Sequence, residues 1–270
     1  MGAISSSRLV QKSDGRGDSE ITANPFEQRS ARAALLAQQS EAAREPLEFA
    51  AALCRAQAQC ADRLQSVTLT GHFEKDTDKL VTLIIPILKV IAERSNDARQ
   101  RLEDEAQIAK TRLQVFWSEN HQDYTSRALL QPYAEALRAR KIDPDRLHSR
   151  GHCPFCGGAA WISSRKSTSD ADGGFRYLGC SLCGLEWNYG RISCPACGEE
   201  DPHKLPIFRS DAHKTVRLET CETCRRYVKS IDLTLDARPI PPVDDLVSLS
   251  MDLWAVEEGY TRIEPGMAGI

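Results

Sequence analysis

The sequence lacks the long apolar runs and the one-sided charge that direct a chain to a membrane or to a polyanion. Its most apolar run, residues 80–92, has 13 residues and includes Lys89, whereas a helix that spans a bilayer needs about 20 apolar residues. The net charge is −3, with 27% charged and 41% apolar residues, as in an ordinary globular protein. We therefore expect no transmembrane helix and no general attraction to nucleic acid or anionic lipid.

The motifs of common enzymes are also absent. The sequence contains no P-loop, no GxGxxG after a predicted strand, no HExxH and no GxSxG nucleophile elbow. The six histidines are scattered, and an isolated residue such as His72 or His121 is more typical of a surface or core position than of a general base. We expect no enzymatic activity, no catalytic residues and no organic cofactor.

A secretory signal is missing from the N-terminal residues. Residues 1–23 are polar, rich in Ser, Gly and Asp, and contain neither an apolar core nor a twin-arginine motif. We predict that this segment is disordered and that the protein is cytoplasmic. Structural disulfides are disfavoured in a reducing cytosol.

Cysteine, in contrast, is abundant and regularly spaced. Eight of the ten cysteines form four CxxC pairs, and the second two pairs repeat the first two 41 residues later. The pairs are Cys153/Cys156, Cys180/Cys183, Cys194/Cys197 and Cys221/Cys224. The two-residue gap lets both sulfurs of one tight turn, or knuckle, face a single ion about 2.3 Å away, so that two knuckles complete a tetrahedral site. The sequence predicts two metal ions, each held by four thiolates.

The repeat predicts that the knuckles combine consecutively, the first with the second and the third with the fourth, although four knuckles can pair in three ways. Gly157, Gly184 and Gly198 follow the second cysteine of a knuckle, where glycine allows the positive φ of a sharp turn. Pro154 and Pro195 stiffen two of these turns. Disulfides or thioredoxin-like redox pairs are the alternatives, but a redox CxxC normally stands alone near a βαβ pattern.

The spacing does not choose between iron and zinc, because all-cysteine tetrahedra hold both with similar geometry. Four protein ligands leave no open coordination position, so metal-assisted hydrolysis is not expected. The sites are therefore predicted to be structural or redox-active.

The pattern upstream of the knuckles indicates an all-helical domain over residues 24–148. Asn24-Pro25-Phe26-Glu27 has the sequence of a helix start. Apolar residues then recur at helical spacing in four stripes: Phe49, Leu53, Ala56, Cys60 and Leu64; Leu80 to Ile91, with a kink at Pro86; Ala98, Leu102, Ala106, Ala109, Leu113 and Phe116; and Leu129, Tyr133, Ala136 and Leu137. Cys54 and Cys60 lie about 120° apart around one helix, so they cannot share an ion, and we expect them to be buried.

The fold class is predicted as α+β, with two tandem rubredoxin-like or zinc-ribbon modules, residues 149–190 and 191–238, after the helices. Short strands are predicted at 216–218 and 227–233, and the polar insert 163–174 is predicted to be a mobile hairpin tip. Each module is too small for a sufficient core of its own, so bound metal supplies part of its folding free energy. In the final segment, 239–270, one amphipathic helix is predicted over 243–257, with Leu246, Leu249, Leu253 and Val256 on one face that packs back on the protein.

Zinc ribbons often bind nucleic acid, but the charge of this region argues against it. Residues 151–235 contain eleven Lys and Arg against ten Asp and Glu, and two zinc–thiolate sites would add further negative charge. Binding through phosphates generally needs a basic stripe. The aromatic residues of the modules are equally typical of a core or an interface.

Several segments together resemble one known family. The segments around the knuckles are CPFCG at 153–157, CSLCGLEW at 180–187, Arg191, CPACG at 194–198 and CETCRRYVK at 221–229. The segments outside the knuckles are NPF at 24–26, FAAAL at 49–53, DLWA at 252–255 and EGY at 258–260. This set, spread over residues 24–270, resembles the formate dehydrogenase accessory protein (FdhE) family. Asn188 departs from the His that often follows the Trp in that family, and the metal-ligand pattern is unaffected.

The resemblance implies a cytoplasmic, non-catalytic maturation factor that binds the catalytic subunit of respiratory formate dehydrogenase before export. It also implies that the two rubredoxin-like modules hold iron rather than zinc. Iron would change charge by one on reduction, and redox state would then alter the affinity for the client or for a second copy in a homodimer. Glu186, Trp187 and Arg191 are candidate contacts. A rubredoxin-like electron carrier and a nucleic-acid-binding zinc ribbon remain the alternative functions.

Overall fold

The structure is a computed structural model that describes residues 24–104, 106–119, 122–168 and 171–269, with the backbone alone at 168 and 171–173. The segment predicted to be disordered, 1–23, lies outside these ranges, as does His121. The architecture is α+β, as predicted. Within the described ranges no helix is both long enough and apolar enough to cross a bilayer.

Helices occupy the chain up to residue 139, as their apolar spacing predicts. They are α1 (Pro25–Gln39), α2 (Arg44–Leu64), α3 (Phe73–Leu80), α4 (Ile85–Ala92), α5 (Asn96–Glu103), α6 (Ala106–Glu119) and α7 (Tyr124–Ala139). The predicted cap of α1 is confirmed, because the Asn24 side chain accepts a hydrogen bond from the Phe26 N–H, 3.0 Å away. The stripe of α2 is confirmed as well, since its five members are buried.

Two stripes that predicted single helices are divided in the structure. The first is interrupted over residues 81–84, and Pro86 lies in the first turn of α4 instead of kinking a continuous helix. Proline has no N–H to donate to a preceding turn, so the first turn of a new helix is its favoured place. The second stripe is divided between α5 and α6, since Asp104 leaves the helix with extended backbone, ψ 145°. Of the predicted members, Leu102 is exposed while Leu113 and Phe116 are buried.

A single sheet follows the helices. Its strands are β1 (Ala160–Thr168), β2 (Ala171–Cys180), β3 (Glu186–Asn188), β4 (Ile207–Arg209), β5 (Val216–Thr220), β6 (Arg226–Asp232) and β7 (Thr261–Arg262). Their order is β3-β2-β1-β6-β5-β4, with β7 paired to β6. The strands predicted at 216–218 and 227–233 are therefore present as β5 and β6.

The two cysteine-containing repeats are joined through β1 and β6, which run parallel with Ser163 opposite Ser230. This pairing crosses the predicted boundary at 190/191, so the repeats share one sheet; the division into two modules stays a prediction. The predicted hairpin at 163–174 is present, but most of this insert belongs to the strands β1 and β2 and not to the tip. Ser163 and Ser164 are buried within the sheet, and a hairpin is formed by β1 and β2, with Thr168 opposite Ala171.

The C-terminal segment differs from the predicted single helix. It contains α8 (Pro241–Asp244), a 3-10 turn (Asp245–Ser248) and α9 (Leu249–Glu257). Met251, Asp252 and Ala255 form the buried face of α9, whereas Leu253 and Val256 are 64% and 62% exposed. Each residue of the tighter 3-10 turn rotates the chain by about 120° about the helix axis, instead of the 100° of an α-helix. A prediction that assumes α-helical spacing through this turn therefore assigns the buried face of α9 to the wrong residues.

The segment does pack back on both layers, as predicted. Arg32 of α1 donates from Nε to the Asp244 carboxylate over 2.9 Å. On the sheet side, Lys229 of β6 is fully buried, 2.9 Å from Asp245 and 2.5 Å from Asp252.

Arg262 contacts the same two carboxylates, at 2.8 and 3.2 Å, and the Tyr227 hydroxyl donates to Asp252. We call Lys229, Arg262, Asp245 and Asp252 the buried ion cluster. Burial disfavours the charge on Asp245, but Arg262 and Lys229 outweigh this effect and lower its pKa. The sequence patterns gave no sign of this cluster, because its members are spread over four elements.

Candidate metal centres

The structure groups the eight predicted ligands into two clusters, in the consecutive order that the repeat predicts. Within each cluster all four sulfurs lie within 4.8 Å of one another. The first centre is Cys153, Cys156, Cys180 and Cys183, and the second centre is Cys194, Cys197, Cys221 and Cys224.

The sulfur spacing suits one ion per centre. Closest Sγ–Sγ distances are 3.4 and 3.6 Å in the first centre and 3.6 and 3.7 Å in the second. Four sulfurs about 2.3 Å from a tetrahedral ion would lie about 3.8 Å apart, whereas a disulfide needs about 2.05 Å. All ten cysteines are free, so the donor set fits a tetrahedral thiolate-bound metal and excludes the disulfide alternative in this structure.

Backbone hydrogen bonds close the first knuckle of each repeat in the same way. The N–H of Gly157 donates to the Cys153 carbonyl, and the N–H of Gly198 donates to Cys194, each over 2.9 Å. Gly157, Gly184 and Gly198 have positive φ values of 66°, 67° and 77°, as expected if glycine is needed for the sharp turn of a knuckle.

The fourth knuckle has Arg225 at this position, with φ 55°. Its guanidinium lies 3.9 Å from the centroid of the Tyr260 ring, so the C-terminal segment holds it in place. At the equivalent Gly184, a Cβ would approach Glu135 Oε1 to 2.9 Å. A side chain at Gly184 would therefore have to displace the Glu135 carboxylate of α7, whereas the C-terminal segment accommodates the side chain of Arg225.

The first centre is sealed between the helices and the sheet. Its cysteines are at most 1% exposed and belong to the same apolar core as α2 and α7. Two arginines from the helical side hold its knuckles: Arg146 Nε donates to the Cys156 carbonyl and Arg138 Nε to the Cys183 carbonyl, each over 2.8 Å. The Arg146 guanidinium also lies 4.6 Å from the Trp117 ring centroid. These contacts were not predicted, since they join residues that the sequence assigned to separate domains.

The second centre is open to solvent by comparison. Cys197 is exposed and Cys224 is half-buried. Its knuckles are joined by Glu199, whose carboxylate accepts from the Thr223 hydroxyl over 2.5 Å and from the Asp201 N–H over 3.0 Å. The bond from Thr223, above all, lowers the pKa of Glu199 to about 2.

Glycine 158 occupies the position of Glu199 in the first repeat. A Cβ there would lie 2.9 Å from the Cys180 sulfur and 3.3 Å from that of Cys156. Because Sγ atoms of a metal centre are fixed, they cannot move away from an added methyl group.

We expect Gly158→Ala to lower metal occupancy of the first centre and leave one ion per chain, measured by elemental analysis of the purified protein. Gly190→Ala is the matched control, since its Cβ would meet its nearest atom at 3.5 Å, an ordinary contact. Two ions retained by Gly158→Ala would contradict the close packing against the sulfurs.

The pKa values of the thiols explain why a cation is needed. Hydrogen bonds from Cys156 and Cys180 lower the pKa of Cys153, while the bond to Cys153 raises that of Cys183, and burial raises that of Cys180. In the second centre burial raises the pKa of Cys194 and of Cys224. A bound cation stabilises all four thiolates of a centre together, including those whose pKa burial raises.

The other predicted residues lie apart from the sulfurs. Glu186 is exposed and pairs with Lys166 over 2.5 Å, and Arg191 is exposed, whereas Trp187 packs against the core of the first centre. Cys54 and Cys60 are buried, as predicted, and burial raises the pKa of each to about 12. They form no part of either centre.

Two protein-family models match the cysteine-containing part of the chain. "FdhE, central domain" covers residues 152–191, and "FdhE, C-terminal domain" covers residues 192–267. The first match contains the first centre and the second match contains the second centre.

Relatives and a solved structure extend the similarity. A protein FdhE homolog of Aquifex aeolicus is 29% identical over 205 residues, which are 73% of this chain and 72% of that protein. The match to a homolog of Pseudomonas aeruginosa is 39% identical over 124 residues, 44% of this chain and only 40% of the relative. The crystal structure of the FdhE protein from Pseudomonas aeruginosa superimposes with a TM-score of 0.67 and 25% identity, covering 91% of this chain and 95% of that one.

Proposed function

Because the chain belongs to the FdhE family of formate dehydrogenase accessory proteins, we propose that it binds the catalytic subunit of formate dehydrogenase in the cytoplasm and thereby assists its maturation before export. We further propose that iron at the two centres gates this interaction through its redox state. The ligands would be Cys153, Cys156, Cys180 and Cys183 in the first centre and Cys194, Cys197, Cys221 and Cys224 in the second.

The main support for this proposal is the position of the first centre, which lies at the contact between the helical layer and the sheet. Two carbonyls of its knuckles accept hydrogen bonds from Arg138 and Arg146. A one-electron change at the metal would alter the charge next to both guanidiniums, and with it the contact between the two layers. A surface formed by both layers could then bind a client differently in the two redox states.

The donor sets agree with a role in binding instead of catalysis. When iron is bound by four cysteines it supplies electron transfer, and no coordination position is left for a substrate. The chain's own residues bury the first centre, exclude water from it and hold its knuckles.

The test begins with protein purified without oxygen, whose metal content and visible spectrum are measured. We expect two irons per chain with thiolate-to-iron charge-transfer bands, and binding to the catalytic subunit that differs about 5- to 150-fold between oxidised and reduced protein. The zinc-substituted protein should lose this redox dependence.

The matched variants are Cys156→Ser, which removes a ligand, and Cys60→Ala, which removes a buried thiol outside both centres. Cys60→Ala should bind the client as the unmodified protein does. Equal binding in both redox states and in the zinc form would contradict the gating, while a metal-loaded protein that captures no catalytic subunit would contradict the accessory role itself.

The exposure of Cys197 at the second centre favours one alternative, a rubredoxin-like electron carrier. Electron exchange needs a metal close to the protein surface, and this centre has one exposed ligand. Reversible redox cycling with a small donor, in the absence of the client, would support that function.

We expect no nucleic-acid partner, since the basic and acidic residues of the modules nearly balance, and a salt-dependent gel shift with DNA or RNA would contradict this expectation. The other proposed partner is a second copy of the chain. Measuring the mass in solution in both redox states tests whether a homodimer forms.

A further inference from the structure

A cavity of about 130 Å³ lies between the two metal centres. Its wall includes Ser181 and Leu182, which separate the cysteines of the second knuckle, and Pro195 and Ala196, which separate those of the third. Both centres therefore present a CxxC turn to the same space. The proposed function makes no use of this cavity.

The cavity wall carries an excess of positive charge. Arg127, Arg146 and Arg226 line it, and Glu264 is its one carboxylate. Arg127 and Glu264 are 2% and 5% exposed and form an ion pair of 2.8 Å, so Glu264 is already neutralised by one of the three guanidiniums. His152 and the Gln122 amide complete the polar part of the wall.

Two groups of hydrogen-bond donors on this wall have no protein acceptor within the described residues. Arg226 is half-buried and makes neither an ion pair nor a side-chain hydrogen bond there. Arg127 Nε is buried without an acceptor. Buried donors without acceptors are costly, so the wall is suited to a ligand rich in acceptors.

The size of the space limits that ligand. A water molecule takes up about 30 Å³ in the liquid, so the cavity holds about four water-sized groups. A carboxylate or a tetrahedral oxoanion fits this space.

We propose that this cavity binds one small oxoanion between the metal centres, with the Arg226 guanidinium as its principal contact and with Arg127 Nε as a further donor. The anion would satisfy the donors that the protein leaves without acceptors. Its position beside both knuckles links the occupancy of the cavity to the stability of both centres.

The test uses the full-length, metal-loaded protein with acetate and sulfate as probes, at constant ionic strength maintained with chloride. Calorimetric titration should show saturable binding of one anion per chain, and the midpoint of thermal unfolding should rise with anion concentration. Arg226→Gln should weaken binding about tenfold or more, because a charge-assisted hydrogen bond is lost.

Arg209→Gln is the matched control, since Arg209 is an exposed arginine of the same sheet that does not line the cavity; it should bind as the unmodified protein does. Ala196→Leu provides an independent variant, which fills the cavity without changing charge. The equivalent position in the first repeat, 41 residues earlier, is Phe155, so this position of the knuckle accepts a large apolar side chain.

Ala196→Leu should abolish anion binding while keeping two metal ions per chain. Binding that does not saturate, that chloride reproduces, or that neither Arg226→Gln nor Ala196→Leu weakens would overturn the proposal and indicate a cavity filled with water.

Discussion

A chelator is expected to remove the metal of the second centre while the first centre stays filled. The cysteines of the first centre are at most 1% exposed, whereas Cys197 of the second is exposed and Cys224 half-buried. A chelator can therefore attack the second centre in the folded protein. It reaches the first only after a local opening, and an opening that costs about 3 kcal/mol slows release about 100-fold.

The measurement is the time course of metal transfer to a coloured chelator, which should show one ion released quickly and one slowly, in equal amounts. Cys197→Ser should remove the fast phase, and Cys156→Ser should remove the slow one. Addition of urea, which opens the fold, should merge the two phases. A single phase for both ions in the folded protein would show that burial does not control access to the first centre.

Replacing Lys229 by Met is expected to destabilise the fold by about 3–5 kcal/mol, the usual effect of removing one partner from a buried set of charges. Lys229 is fully buried and contacts Asp245 and Asp252. Without its ammonium group, two buried carboxylates share one guanidinium, that of Arg262. Methionine has a similar length, so the main loss is the charge and its hydrogen bonds to the Asp245 and Ser248 carbonyls.

Urea unfolding of the metal-loaded protein gives the free energy of unfolding, with Arg238→Met as the matched control. Arg238 pairs with Asp236 but is 85% exposed, and exposed pairs contribute about 0–1 kcal/mol. Equal stabilities of the two variants would show that the buried ion cluster stabilises the fold no more than a surface pair does.

The metal-ligand sets were predictable because their geometry is local and repeated. A two-residue gap fixes the direction of two sulfurs, and a shared spacing of 41 residues identifies which knuckles belong to one unit. Gly157, Gly184 and Gly198 were predictable for the same reason, since a tight turn with positive φ restricts the residue type. In these cases a few neighbouring residues determine the structure.

The environment of the centres could not be predicted, because it depends on residues far apart in the chain. Arg138 contacts the Cys183 carbonyl from 45 residues away, and no spacing rule covers such a pair. The burial of the first centre and the exposure of the second follow from packing on the helices, which the repeat does not encode. Periodicity also failed where the helix type changes, as for Leu253 and Val256.

The parallel pairing of β1 with β6 has a consequence for the order of events during synthesis on the ribosome. The first centre can close once Cys183 has emerged, yet β1 still lacks a neighbour that lies 67 residues further along, as in the pair of Arg165 with Asp232. The bond from Arg262 to the Trp161 carbonyl spans 101 residues. A nascent chain therefore exposes an open strand edge, which can pair with other chains, until β6 has been translated.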